Sequence, residues 1–464
     1  MLAPLGWAFL ANPNSREVFV FVATIAFGMT VAGICRVFLR IKKTDYEKMN
    51  IKDALAIVGL SWICLSAYGA LPLFFSGAVP SFTDAFFEVV SGFTTTGATI
   101  ITDVEALPRG ILFWRSLTHW LGGMGIIVLC LALLPALGHS AFHLYRAEAP
   151  GIAVERVEPR IKETAKILWS VYFLLSLAET LLLMFGGMTF YESLCHTFGT
   201  MATGGFSTRN ASIGAFNAYT QWVITVFMFL AGANFMLHYQ ALRGNIKSYL
   251  KSEEFRAYLG ILLVGTIFFS MILFMMGPEP FSFRAAAFQV TSILTTTGYT
   301  TVDFDLWPHV LRFGLILLMF IGGCGGSTGG GMKVVRILLT FKMAINSVVQ
   351  MVFPNAVIPL KCDNNPLPNR QVTTVLSYFI VYILLFFIGS FLFILFERCD
   401  LATGFSATIA ALSNIGPGLV KVGATQNYAW ISIPGKWLLI FLMLAGRLEL
   451  YAVLILIFPS TWKK

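Results

Sequence analysis

Four semi-apolar runs in this chain are long enough to form a helix and too short to cross a bilayer, and each ends in a turn of small and hydroxylated residues. They are SFTDAFFEVVSGF (81–93), TFYESLCHTFGTM (189–201), FSFRAAAFQVTSILT (281–295) and LATGFSATIAALS (401–413). Thirteen helical residues span about 20 Å, against a hydrocarbon core of about 30 Å. The turns that follow are Thr94-Thr95-Thr96-Gly97, Ala202-Thr203-Gly204-Gly205, Thr296-Thr297-Gly298-Tyr299 and Asn414-Ile415-Gly416-Pro417. One such segment reads as an ordinary outer loop with a glycine turn. Four in one phase demand more. Irregular backbone at membrane depth is tolerated only where it is buried in protein or lines a wet cavity. A half-helix that stops mid-membrane aims its negative C-terminal end at the centre, which favours a cation held there. Four turns converging on one axis are what a single-chain ion pore needs, with backbone carbonyls replacing the water around the ion. Ser81 or Thr83 is placed to cap the first run, and Asp84 suits its first turn.

The surrounding sequence fits a membrane. It is 57% hydrophobic and 12% charged, where soluble domains carry about 25% charge. Candidate spans fall near 17–39, 51–77, 111–135, 165–188, 219–241, 255–276, 308–323 continuing after a break to about 352, 372–396 and 434–458. Residues 1–11 are apolar but too short to span. The N-terminus lacks the basic region of a cleavable signal peptide. Seven cysteines (35, 64, 130, 195, 324, 362 and 399) are scattered without a CxxC or Cys/His cluster, which leaves disulfide and zinc readings weak.

Basic residues alternate with the four turns. Arg40, Lys42, Lys43, Lys48 and Lys52 form one group, and Arg146, Arg156, Arg160, Lys162 and Lys166 a second. Arg243, Lys247 and Lys251, then Lys361 and Arg370, and finally Lys463 and Lys464 complete the set. All lie on one side if the turns lie on the other, and the positive-inside rule makes that side cytoplasmic. The net charge of +9 therefore calls for no nucleic acid. Asp103, Glu105, Asp303 and Asp305 fall on the outer face, where they either concentrate cations or simply solvate a loop.

Each turn is followed by a span with its own small-residue mark: Gly122-Gly123, Ala231-Gly232, Gly322-Gly323 and Ala445-Gly446. Counted from Gly97, Gly204, Gly298 and Gly416 to Gly122, Gly232, Gly322 and Gly446, the separations are 25, 28, 24 and 30 residues. Small residues let helices approach closely, which is also their plainest explanation. The expected architecture is an all-α polytopic membrane protein with four pseudo-symmetric helix–pore-helix–helix repeats around one central pore. The repeats run over 51–137, 163–243, 254–352 and 370–458, after an N-terminal segment 1–50 holding one or more extra transmembrane helices.

At this point the residues match a family. The chain resembles the membrane subunits of Trk-type potassium uptake, in the superfamily of TrkH, TrkG, KtrB and the plant HKT transporters. TDAFFE with TTTGAT, GGFST, TTTGYTT and SNIGPG are similar to that family's four filters in order. HWLGGMGIIVL, IGGCGGSTGGGMKVVRILL and GRLEL are similar to its inner-span signatures. MLAP resembles the end of its first helix, so that span is expected to be truncated here. The resemblance implies a narrow ring at Gly97, Gly204, Gly298 and Gly416, where glycine in all four places goes with potassium selectivity. Thr95, Thr96, Ala202, Thr203, Thr296, Thr297, Asn414 and Ile415 would add carbonyls; Ile415 has no side-chain ligand to offer, which suits a backbone site.

The run Gly322-Gly323-Cys324-Gly325-Gly326-Ser327-Thr328-Gly329-Gly330-Gly331 cannot hold a helix, since each glycine costs about 1 kcal/mol there. It lacks the Gly-Lys-Ser/Thr of a phosphate loop, because Met332 intervenes before Lys333. The resemblance implies an intramembrane gate below the filter, with Ser327 and Thr328 either facing ions or capping the next helix. Arg447 lies inside the last span, where a charge costs a few kcal/mol and faces a cavity or a partner. The family places it near the gate, opposing cations. Lys333 and Arg336 read as plain cytoplasmic anchors, and His119 and His196 carry no assignment.

The resemblance further implies a homodimer in the bacterial inner membrane, its filter facing the periplasm. Its partners would be the lipid bilayer and a cytoplasmic TrkA-like nucleotide-binding subunit, with K+ (and Rb+) as transported substrate and no cofactor. No clustered nucleophile, base or metal set points to an enzyme. A sodium- or proton-coupled symporter is the alternative. Carriers generally carry inverted repeats and a midplane acidic site; here the repeats run parallel and no turn holds an acidic residue.

Overall fold

The computed structural model describes residues 1–39, 51–125, 161–276, 282–355, 358–457 and 459. Four of the basic residues in the first group, Arg146, Arg156, Arg160, the C-terminal lysines, Cys130 and the distal half of the 111–135 span lie outside the described residues.

The described chain is almost wholly helical. Helices α1 (Leu2–Ala11) and α2 (Arg16–Leu39) come first. One succession then occurs four times: a long apolar helix, a short helix, a tight turn and a second helix. The first set is α3 (Ile51–Ser76), α4 (Phe82–Phe93) and α5 (Arg109–Gly123). The second is α6 (Ile161–Phe185), α7 (Phe190–Met201) and α8 (Ala218–Ala231), extended by α9 (Phe235–Leu242) and α10 (Lys247–Lys251). The third is α11 (Glu253–Met276), α12 (Ser282–Leu294) and α13 (His309–Ile321), resumed by α14 (Val334–Val352). A two-stranded hairpin, β1 (Lys361–Cys362) with β2 (Asn365–Pro366), leads to α15 (Asn369–Glu397), α16 (Leu401–Leu412), α17 (Ile433–Arg447) and α18 (Tyr451–Ile457).

Among the described residues six helices are long and apolar enough to cross a membrane, or seven if the bent pair α8–α9 counts as one span. Their outward faces carry exposed apolar side chains such as Phe27, Phe173, Leu177, Met271 and Phe391, as lipid contact requires. The short helices are the opposite case. Helix α4 is buried from Ala85 to Phe93, and α16 from Ser406 to Leu412. They sit inside the ring of long helices, each against the long helix before it. Asp400 caps α16 by accepting from the Thr403 amide at 3.0 Å, and Thr189 caps α7. Ser81 holds the cap position of α4, but its hydroxyl makes no cap bond.

Among the described residues the second helix of every unit ends at or next to its small-residue mark, where the sequence suggests a break in the third alone. Helix α5 ends at Gly123, α13 at Ile321 and α17 at Arg447, while α8 ends at Ala231 and turns by 100° into α9. The small residues at these ends are required by tertiary contact. A Cβ at Gly122 would collide with the Phe93 carbonyl, and one at Gly446 with the Leu412 carbonyl, each at the end of its own unit's short helix.

Candidate functional site

The four short helices end alike. In the first, the Thr95 amide donates to the Gly92 carbonyl (3.1 Å) and the Thr96 amide to the Ser91 carbonyl (2.9 Å). The same pair of bonds is made by Thr203 and Gly204, by Thr296 and Thr297, and by Asn414 and Ile415. This is a Schellman end, whose left-handed position usually holds glycine. Here it holds Thr95, Thr203, Thr296 and Asn414, with φ of 53°, 54°, 60° and 57°. A β-branched residue in that region stores strain of about 1–3 kcal/mol.

Two residues on, each turn has a glycine with positive φ: Gly97 (82°), Gly205 (81°), Gly298 (80°) and Gly416 (100°). The second of these corrects the sequence reading, which points to Gly204. Gly204 stands where the other units have Thr96, Thr297 and Ile415, and Gly205 is the counterpart of the other three glycines.

These glycines close a ring. A Cβ on Gly97 would collide with the Gly204 carbonyl oxygen, one on Gly205 with that of Thr297, one on Gly298 with that of Ile415, and one on Gly416 with that of Thr96. Each glycine thus makes room for the carbonyl one place before the glycine of the next unit, from first to second to third to fourth and back to first. A cavity of about 160 Å³ opens onto Gly97, Gly205, Gly298 and Gly416, with Thr99, Asn210, Thr300, Gln426 and Asn427 among its polar lining.

Below the ring runs the glycine-rich segment. Thr328 Oγ1 donates to the Met201 carbonyl (2.9 Å) at the end of α7, and the Gly330 amide donates to Thr296 Oγ1 (2.6 Å). Gly330 also packs against the Ser413 carbonyl. Arg447 reaches two other units from the fourth: it donates to the Thr328 carbonyl at 2.7 Å and to the Gly122 and Gly123 carbonyls at 2.6 and 2.7 Å. Its register, set by Gly122 and Gly446, is that of Gly123. Glu254 holds the segment's flank by accepting from the Gly325 and Val335 amides. Lys333 is buried and its ammonium donates to the Gly329 carbonyl, while Arg336 pairs with Glu449 and lies 3.9 Å over the Tyr378 ring. Neither is the free cytoplasmic anchor that the sequence suggests. Ser327 Oγ donates to the Cys324 carbonyl within the segment.

A family model described as TrkH, cation transport protein, matches residues 20–464. The chain is 42% identical to the Trk system potassium uptake protein TrkH of Escherichia coli K12 over 429 residues, covering 91% of this chain and 88% of that protein. It is 39% identical to the protein of the same name from Halomonas elongata over 471 residues, covering 100% and 96%. The crystal structure of the potassium transporter TrkH from Vibrio parahaemolyticus matches with a TM-score of 0.88 at 37% identity, covering 100% of this chain and 96% of that one. The chain belongs to the TrkH family of cation transport proteins.

A TrkH-family protein is a multi-pass membrane transporter and not an enzyme, and the remaining polar groups of the site are understood as supports. Asp103, Glu105, Asp303 and Asp305 all have partners, and three of them tie loops of different units together. Asp103 Oδ1 accepts from Asn210 Nδ2 (2.8 Å), Glu105 lies 3.6 Å from Arg209, Asp303 accepts from the Asp305 amide, and Asp305 accepts from the Val420 amide (3.0 Å). His196 bridges the Glu192 carbonyl and Ser207 Oγ, and His119 stacks on Phe206 at 4.0 Å. Asn414 reaches across to the first unit, donating to Thr96 Oγ1 (3.0 Å) and the Met443 carbonyl (2.8 Å). An amide at a backbone-ligand position is the available signal for that bridge, and the sequence reading uses only its carbonyl.

Proposed function

We propose that this TrkH-family transporter is the potassium-conducting subunit of a Trk-type uptake system, and that the ring of turns is its selectivity filter. The observation that carries the reading is the closed cycle in which each glycine admits the next unit's carbonyl oxygen. Such a ring presents backbone oxygens to a permeating ion with no side chain intervening. Gly97, Gly205, Gly298 and Gly416 form its outer layer, and Thr96, Gly204, Thr297 and Ile415 contribute the carbonyls beneath. Thr95, Ala202, Thr203, Thr296 and Asn414 lie deeper, toward the gate.

The segment Gly322–Gly331 with Arg447 is the gate. The segment crosses under the ends of three short helices, and Arg447 pins it to the far side through the Gly122 and Gly123 carbonyls. A guanidinium there repels cations and must move for conduction. A cytoplasmic nucleotide-binding partner controls that movement, a second copy completes the assembly, and the filter faces the periplasm of a bacterial inner membrane. The relatives named for potassium uptake and for the Trk system support this reading.

The test is ion flux from purified protein in liposomes under K+ or Na+ gradients, with and without the partner. Conduction down a K+ gradient alone, with little for Na+, is expected. Flux that requires a sodium or proton gradient would replace the channel-like mechanism with coupled transport.

A further inference from the structure

We infer that the buried ion pair between Glu88 and Arg115 is a positioning device for ion selectivity, locking the first and second turns of the ring to each other. The inference rests on the filter reading above. Glu88 lies in mid-α4, nine residues before Gly97, and neither side chain is more than 3% exposed. Its carboxylate accepts from Arg115 Nε (2.6 Å), from Thr99 Oγ1 (2.9 Å) and from the Ile100 amide (3.0 Å). Thr99 and Ile100 are the second and third residues after Gly97, so Glu88 holds the strand leaving the first turn.

Arg115, from α5, holds the strand leaving the second. Its Nη1 donates to the Ser207 carbonyl at 3.2 Å, and its guanidinium lies 3.5 Å from the centre of the Phe206 ring. Phe206 and Ser207 immediately follow Gly205. One helical turn beyond Arg115, His119 stacks on the same ring and fills the space against Gly204. The contact under this brace is the one in which Gly97 admits the Gly204 carbonyl. The position of one filter oxygen therefore depends on a guanidinium whose planar fork serves a carboxylate, a carbonyl and an aromatic face together.

The device is not repeated around the ring. Nine residues before Gly205 stands His196, which holds Ser207 Oγ at 3.1 Å. The same position is Gln289 in the third unit, whose carboxamide has no hydrogen-bond partner among the described residues, and Ala407 in the fourth. A buried ion pair is weak support for stability as such, since apolar replacements of equal size often do as well. Its bonds on both sides to the strands of the ring give it a different task.

The experiment measures K+ over Na+ preference in liposomes, together with the thermal midpoint, for Arg115→Lys, Thr99→Val and the reference Gly97→Ser. Arg115→Lys keeps the charge beside Glu88 but loses the fork and the stacked plane. It should lower the preference about tenfold, the scale of one charge-assisted hydrogen bond. Thr99→Val removes one bond to Glu88 without unpairing a charge and should lower it about threefold, and it decides the matter if Arg115→Lys fails to fold. A lower midpoint with unchanged preference in both variants, while Gly97→Ser loses preference, overturns the inference and leaves the filter reading standing. Unchanged preference in Gly97→Ser as well overturns both.

Discussion

Glycine holds its place in this ring by what it lacks. The family resemblance points to Gly204, and the second turn offers two adjacent glycines between which local pattern does not choose. The backbone instead puts threonine or asparagine in the left-handed position and keeps glycine for the place where a neighbour's carbonyl occupies the Cβ site. That contact joins residues of different units, so it leaves no trace in the local pattern of Ala202-Thr203-Gly204-Gly205. Gly205→Ser should therefore weaken discrimination against sodium as Gly97→Ser does, measured as sodium competition against rubidium uptake. Unchanged discrimination in both would remove these glycines from the filter. Val420 is another strained position, with φ 60° and its amide held by Asp305. Val420→Gly should raise stability by up to about 1 kcal/mol by relieving that strain, read as a higher thermal midpoint in detergent, and no rise would show the strain to be negligible.

At the scale of elements, the long helices and the four short ones are legible because apolar length and interruption are local signals. The breaks in the second helices are not. Gly122 and Gly446 read as packing glycines, and it is the approach of the Phe93 and Leu412 carbonyls near the helix ends that leaves no room for a side chain there. Lys333 and Arg336 mislead for the same reason, since their partners Gly329 and Glu449 are set by how the segment folds back. The glycine-rich segment is held at its flank by Glu254, beneath the ring by Thr328 and Gly330, and across the axis by Arg447. Deleting several residues of 324–331 should raise flux several-fold, on the order of the 1–2 kcal/mol released by losing two such bonds. Arg447→Ala should raise it too, by removing both the bonds and the positive charge. Unchanged flux in correctly folded protein would leave the segment as a structural plug.

At the scale of the molecule, each neighbouring pair of units is tied by hydrogen bonds or ion pairs between them. Asp103 and Asn210 join the first and second, Ser212 and Thr300 the second and third, and Asp305 and Val420 the third and fourth. The fourth meets the first through the Tyr428 amide on the Thr99 carbonyl (2.8 Å), Asn414 on Thr96, and Lys436 on Asp84 (2.6 Å). These last contacts link residues more than 300 positions apart, so closing the ring carries the largest loop entropy and belongs late in folding. Tyr428 also donates its hydroxyl to the Gly416 carbonyl at 2.6 Å, which turns that oxygen toward the seam. Tyr428→Phe keeps the ring's bulk and removes one buried bond, so it should cost about 1 kcal/mol and free the Gly416 carbonyl of the proposed filter at the closing seam. The expected result is a lower thermal midpoint together with a shift in potassium preference. A lower midpoint alone would mean that the seam holds the molecule together without setting the fourth side of the proposed filter.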